Sequence, residues 1–210
     1  MKRNKAFVAI AALGLGVMAG AAQADALNGP YAGGGLSFIK GTVKLTDPVD
    51  SSTSVTLGTD KTDVGINLNG GYGMTVGGNF HLAGELSYQS AFGKAEGNLS
   101  GETATSKLKN VWALSFLPGY KLDNTTLAYG RLGYARAKND INFPGESVSK
   151  TSNGILYGLG VKHAFTRNLA GVFEFQNLVM QEKTVTFSDG STTKAKAGGS
   201  GFLLGVQYGF

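Results

Sequence analysis

The chain has 210 residues, 33 of them Gly, 4 Pro and no Cys, with 16% charged residues and a formal net charge of +5. Charge is low against the roughly 25% of an ordinary soluble domain, and 42% hydrophobic residues at that density argue against disorder. A chain without Cys uses neither disulfides nor thiol chemistry, and only one stretch, near the N-terminus, approaches the length of a membrane-spanning helix, which excludes a polytopic helical protein.

That stretch reads as an address. Lys2, Arg3 and Lys5 precede an apolar run from Ala6 to Gly20, and Ala22-Gln23-Ala24 is a small-x-small cleavage site followed by Asp25. Residues 1–24 are expected to be a cleaved signal peptide and 25–210 the mature domain. Cleavage takes three of the 19 basic residues and none of the 14 acidic ones, so the mature net charge is +2. The basic excess then gives no support to a nucleic-acid partner, and neither does export.

From Tyr31 onward the period is two. Ala32, Leu36 and Phe38 share a face in Tyr31–Val43. Val64, Ile66, Leu68 and Tyr72 alternate with Gly65, Asn67, Asn69 and Gly71. Phe80, Leu82, Leu86 and Tyr88 stand opposite His81, Ala83, Glu85 and Ser87. Leu108, Trp112, Leu114 and Phe116 are opposed to Lys109, Val111, Ala113 and Ser115. Leu132 and Tyr134 share a face in Leu127–Lys138, and Ile155, Tyr157, Leu159, Val161 and Phe165 share the next. Leu169, Phe173 and Phe175 oppose Val172, Glu174 and Gln176, and the last run sets Phe202, Leu204, Val206, Tyr208 and Phe210 against Gly205, Gln207 and Gly209. Eight strands are predicted.

Short turns around residues 73–79, 119–126 and 166–168 alternate with polar connections at 44–62, 91–106, 138–152 and 181–198. Strict alternation puts every long connection at one end of a meander, as in outer-membrane barrels with short periplasmic turns and long outside loops. The large, aromatic face carries no charge near its middle, where one would cost about 2–4 kcal/mol in lipid. The other face is mostly Gly, Ala, Ser and Asn, which suits the inside of a narrow barrel better than a water-facing surface. Strands of about ten residues tilted at ~40° rise about 25 Å, the height of such a belt. The fold class is therefore all-β: an eight-stranded antiparallel up-and-down transmembrane β-barrel in the outer membrane.

The closing segment FLLGVQYGF resembles the C-terminal strand that the barrel-assembly machinery recognises in outer-membrane proteins, with Phe202, Leu204, Val206, Tyr208 and Phe210 as its signal. YGRLGYARA at 129–137 and GVKHAFTRNLAGVFEFQ at 160–176 resemble strands 5 to 7 of the outer-membrane protein A and X barrels. The resemblance covers the mature chain and implies a barrel-only protein, without the peptidoglycan-binding domain that follows the barrel in outer-membrane protein A.

Inward parity collects Glu85, Lys109, Arg131, Lys162 and Glu174. Charges in a narrow lumen need partners, so these five are expected to form a salt-bridged plug, with the two acids paired to some of the three bases. The resemblance implies the same. Only His81 and His163 could serve a barrel hydrolase, and both sit beside short turns without the neighbours such an enzyme needs. Two His and no Cys support no transition-metal site; no cofactor is expected. The Gly runs at 33–35 and 198–201 carry no Lys-Ser/Thr and open no helix, so they are not phosphate loops. The resulting expectation is a monomeric structural or surface-interaction protein. Its partners are outer-membrane lipids and lipopolysaccharide, the assembly machinery, and a surface protein or host ligand met through four long loops. A narrow ion channel is the alternative, and a barrel enzyme acting on lipid comes third. Residues 181–198 are further expected to carry the last two strands past the membrane as a hairpin.

Overall fold

A computed structural model describes residues 25–46, 54–58, 62–99, 102–143, 146–186 and 192–210. The expected signal peptide, residues 1–24, and the tips of the long connections lie outside the described residues. Ten strand segments follow in order: β1 (Gly29–Thr46), β2 (Ser54–Gly58), β3 (Asp63–Val76), β4 (Phe80–Leu99), β5 (Glu102–Lys121), β6 (Thr126–Phe143), β7 (Glu146–Ala164), β8 (Leu169–Met180), β9 (Lys183–Thr186) and β10 (Thr192–Gly209).

Their register makes eight wall strands. β2 pairs with Thr42–Thr46 of β1 and β3 with Gly29–Ile39, so β2 and β3 are one wall strand with a break. β8 and β9 share β10 in the same way. Every pairing is antiparallel, and β1 closes on β10 from Tyr31 opposite Gly209 to Thr46 opposite Lys194. The result is a closed, eight-stranded, up-and-down barrel. Closure removes the unpaired edges that an open sheet of this composition would expose.

The alternation read from the sequence sets the two faces. Leu36, Ile66, Leu68, Leu114, Phe116, Leu132, Tyr134 and Leu159 all point outward, and Leu159 is 71% exposed. Tyr72, Phe80 and Tyr120 ring the short-turn end, while Tyr88 and Trp112 mark the other limit of the apolar belt. Phe202, Leu204, Val206 and Tyr208 lie outward with them, and Tyr208 meets Phe210 edge-to-face at 5.3 Å. The short turns are tight: Gly77 and Gly78 take φ of 58° and 76° in the turn between β3 and β4, a region other residues rarely enter.

Two expectations need correction. The stretches 91–106 and 138–152 are strand over most of their length, not loop. β4 and β5 stay paired to Leu99 opposite Glu102, and β6 and β7 to Phe143 opposite Glu146. Polarity misled here, because a hairpin that has left the membrane needs no apolar face to keep its backbone paired. Beyond the rim the wall parts at two seams. β3–β4 pairing begins only at Asn67 opposite Gln89, and β7–β8 pairing stops at Gly154 opposite Met180. One lobe is β2-β1-β10-β9 and the other β4-β5-β6-β7. The expected extension of the last two strands is present as Lys183–Thr186 paired with Thr192–Ala195, with its tip outside the described residues.

The second correction concerns phase. The β5–β6 register shifts by one residue between Lys109 and Trp112, and β4 has a matching irregularity between Ala91 and Lys94. Asn110 adopts φ of 50° at this bulge, a conformation Asn tolerates better than most residues, and its Oδ1 accepts a 2.7 Å hydrogen bond from the Tyr88 hydroxyl. An extra residue turns everything above it to the other face. Leu108 is therefore buried inside and Lys109 is exposed outside, the reverse of the expected parity.

Candidate functional site: the filled lumen

Four of the five charges singled out from the sequence are buried in the barrel. Glu85 comes from β4, Arg131 from β6 and Glu174 from β8, at matching distances above the short turns, and Lys162 comes from β7, nearer the short-turn end. Arg131 joins the two acids: its Nη2 lies 2.7 Å from Glu85 Oε1 and its Nε 2.6 Å from Glu174 Oε1. Lys109 stands outside the wall and takes no part in this cluster.

Lys162 is held differently from Arg131. Its ammonium lies 4.4 Å from the ring centre of Tyr31 and 5.2 Å from that of Tyr129. Aromatic faces attract such a charge most strongly where water is excluded. The same two tyrosines donate hydroxyl protons to the acids, Tyr31 to Glu85 Oε2 at 3.0 Å and Tyr129 to Glu174 Oε2 at 2.5 Å. Gln176 donates to Glu174 Oε1 at 2.9 Å, and Gln207 bridges Asn69 and Glu85 at 3.1 and 3.3 Å. Two acids and two bases thus cancel, and both carboxylates are satisfied by several donors. That satisfaction is what makes buried charge tolerable.

Sequence reasoning missed the tyrosines and glutamines, because parity marks a residue as inward without saying which inward residues meet. It also missed a second layer. Toward the long-connection end the interior is apolar: Ile39, Leu108, Val111, Leu156, Leu178 and Met180 pack with Ala113, Ala135 and Ala137. Ile39 and Leu178 are fully buried and Met180 is 1% exposed. Runs of adjacent apolar residues carried a signal for this layer: Ile155-Leu156 supplies one side chain to each face, and Leu178-Val179-Met180 turns Leu178 and Met180 inward. At the opposite mouth Ala26 and Leu27 are buried, and Asp25 Oδ1 accepts the Leu27 amide at 2.9 Å. His81 is buried at that end on β4, while His163 is exposed, its Nδ1 3.0 Å from the Thr126 hydroxyl.

Residues 7–210 match the family described as the outer membrane protein beta-barrel domain. The chain belongs to that family. The location is accordingly the outer membrane, with short turns on the periplasmic side. No curated protein matches the chain by sequence. Among solved structures, this barrel is similar to the outer membrane protein OprG from Pseudomonas aeruginosa, at 13% identity over 89% of this chain and 98% of that one, with a TM-score of 0.56. Ail of Yersinia pestis aligns over 88% of this chain and all of its own at 16% identity, TM-score 0.47. The outer membrane protease OmpT from Escherichia coli aligns over 87% and 97% at 10% identity, TM-score 0.47. At these identities the likeness is one of fold.

Proposed function

We propose that this outer-membrane barrel is a closed, non-catalytic surface-interaction protein that meets its ligands through the hairpins beyond the outer rim. The observation that carries the reading is the double filling of the lumen. The Glu85–Arg131–Glu174 cluster crosses it at one level, and Ile39, Leu178 and Met180 close it above. Passage of an ion would require both the ionic layer to part and the apolar layer to open. The wall belongs to lipid and the interior to itself, which leaves the two lobes as the surface free to vary. Among the described residues, no cluster of His, Asp or Glu suited to a metal is present, and the two histidines stand at the periplasmic end, away from the lobes. We read the barrel as a monomer that uses the C-terminal strand ending at Phe210 as its signal to the assembly machinery.

The test is conductance of purified barrel in planar bilayers, paired with binding to a panel of surface proteins and host-matrix ligands. The expected result is no stepwise current and a binding activity that is lost when residues 94–106 and 140–150 are shortened. Regular single-channel steps from unmodified barrel would replace this reading with the narrow channel.

A further inference from the structure

The lipid-facing wall from β5 to β8 is uneven in its periplasmic half. Two rows of directly opposed residues cross it there: Gly130, Leu159 and Phe175, and nearer the turns Ala128, Val161 and Phe173. Each row is small on β6 and large on β7 and β8. Leu159, 71% exposed, therefore stands as a ridge beside a hollow floored by Ala128, Gly130 and Pro118. The depression has a volume of about 670 Å³. The stacked rings of Phe173 and Phe202, 5.5 Å apart, brace the ridge from behind.

The barrel's own packing does not demand this hollow. A Cβ at Gly130 would meet no atom nearer than 4.0 Å, in contrast to Gly160 on the next strand. Nor does the Gly130 backbone take a positive φ. Glycine inside a strand weakens it and marks places where another surface comes close. Charge is divided over the face in the same way. Asp123 is exposed in the turn that joins β5 to β6, and Arg167 is exposed in the turn that joins β7 to β8. The three turn bonds to Asp123 all use Oδ1, which leaves Oδ2 for another donor. The β5–β6 half of the face thus carries a hollow and an acid, and the β7–β8 half a ridge and a base.

We infer that two copies of this barrel pair side by side in the outer membrane through the periplasmic half of the β5–β8 wall. A two-fold axis along the membrane normal, between β6 and β7, sets the hollow of each copy against the ridge of the other. The same rotation brings Asp123 toward Arg167 of the partner subunit, and an isologous contact makes that pair twice. In lipid the gain comes from close packing of ridge into hollow, since acyl chains already satisfy an apolar wall. An acyl chain fills the hollow but leaves the ridge without a counterpart; a second copy matches both. The unit that folds and closes is the monomer, and the pair assembles from two finished barrels. It is independent of the state of the lumen and of what the lobes bind.

The test uses the full-length chain, in isolated outer membranes and in detergent. Because the chain has no Cys, single replacements report contact without background. His163, exposed near the periplasmic end of β7, lies beside the axis; Met74, exposed at a similar height on β3, lies on the far side of the barrel. A short bis-maleimide should link His163→Cys into dimers in membranes and leave Met74→Cys monomeric. Gly130→Leu fills the hollow and should fold normally, as judged by heat-modifiable migration. It should nevertheless lower the crosslinked fraction, and weaken association by sedimentation in detergent about tenfold. Asp123→Asn keeps the Oδ1 bonds of the turn and removes the charge. It and Arg167→Gln should each weaken association severalfold, and the two together no further than either alone. Equal crosslinking at the two cysteines, or association unchanged by Gly130→Leu, would overturn the pair. So would a spin-labelled phospholipid immobilised by the barrel and released by Gly130→Leu without any dimer, which would give the hollow to an acyl chain.

Discussion

Arg131 on β6 and Glu174 on β8 meet across β7, where Arg131 is opposite Gly158 and Gly158 is opposite Gln176. The strand between them therefore contributes little side-chain bulk at that height, and the guanidinium reaches over it to place Nε 2.6 Å from the carboxylate. The same guanidinium reaches Glu85 at 2.7 Å, so one cation serves two acids on opposite sides of the lumen.

Removing that cation should be costly. Arg131→Met leaves Glu85 and Glu174 buried without their shared partner, and breaking a buried ion pair from one side costs about 3–5 kcal/mol. The expected outcome is a clear fall in the urea midpoint of unfolding from lipid vesicles. Adding Glu174→Gln to the same variant should restore much of the loss, because Glu85 and Lys162 then cancel. A double variant as weak as Arg131→Met alone would mean that the cluster stabilises by shape and not by charge.

Gly160 is required by a close approach. A Cβ there would come 2.5 Å from Tyr129 Cζ, and the ring cannot yield without giving up the hydroxyl bond to Glu174 or the contact with Lys162. Gly160→Ala should destabilise by about 1–3 kcal/mol. Combined with Tyr129→Leu, which vacates the space, the two losses should be less than additive. Strict additivity in the same unfolding measurement would show that the ring and the glycine are uncoupled.

Asp123, in the exposed turn between β5 and β6, gives a pH-dependent reading. Its Oδ1 accepts bonds from the Thr125 hydroxyl and amide, both at 2.7 Å, and from the Thr126 amide at 2.8 Å. These donors, the Thr125 hydroxyl first, hold its carboxyl down to about 2 from the usual 3.8. The folded value lies below the unfolded one, so the turn's stabilisation is complete above pH ~4 and is lost as pH falls through about 2. Carboxyl-carbon NMR should show the low midpoint, and Thr125→Val should raise it. An unmoved midpoint would place the cause elsewhere.

The two faces of the wall were legible in the sequence because a barrel in lipid satisfies two demanding solvents at once, and period two is the trace. Glu85, Arg131, Lys162 and Glu174 could be placed inside by parity alone. Lys109 could not, since one extra residue at Asn110 inverts the phase and nothing in a single Asn announces a bulge. Lys162 was placed correctly but not its company, because cation–π contacts with Tyr31 and Tyr129 depend on strands far apart in sequence. The lengths of the outer hairpins escaped for another reason: past the membrane, backbone pairing continues without the alternation that marks it within.

Phe210 should matter for assembly more than for packing. It is half-buried, its amide donates to the Pro30 carbonyl at 3.0 Å, and its ring meets Tyr208 at the periplasmic edge of the apolar belt. Neither contact is deep, so deletion of Phe210 costs the finished barrel little. If the terminal strand is an assembly signal, the yield of heat-modifiable barrel in cells should nevertheless fall severalfold, while refolding of the purified chain into lipid vesicles proceeds nearly as before. Equal losses in both settings would make the residue structural; normal yield in cells would remove the signal.

The bulge at Asn110 makes a prediction that tests the register of the whole upper wall. The chain has no Cys, so single replacements Lys109→Cys and Leu108→Cys report position without background. Lys109 is exposed and Leu108 only 4% exposed inside the barrel, although unbroken alternation from Trp112 would put Lys109 inward and Leu108 outward. A membrane-impermeant maleimide added to intact cells should therefore label Lys109→Cys readily and Leu108→Cys slowly. Asn110→Gly keeps the left-handed conformation available and should leave this pattern intact. Asn110→Val strains it, since a β-branched residue at positive φ is strongly disfavoured, and should blur the difference or weaken the fold. The reverse labelling order, fast at Leu108→Cys and slow at Lys109→Cys, would show that alternation runs through without a bulge and that Lys109 belongs with Glu85 after all.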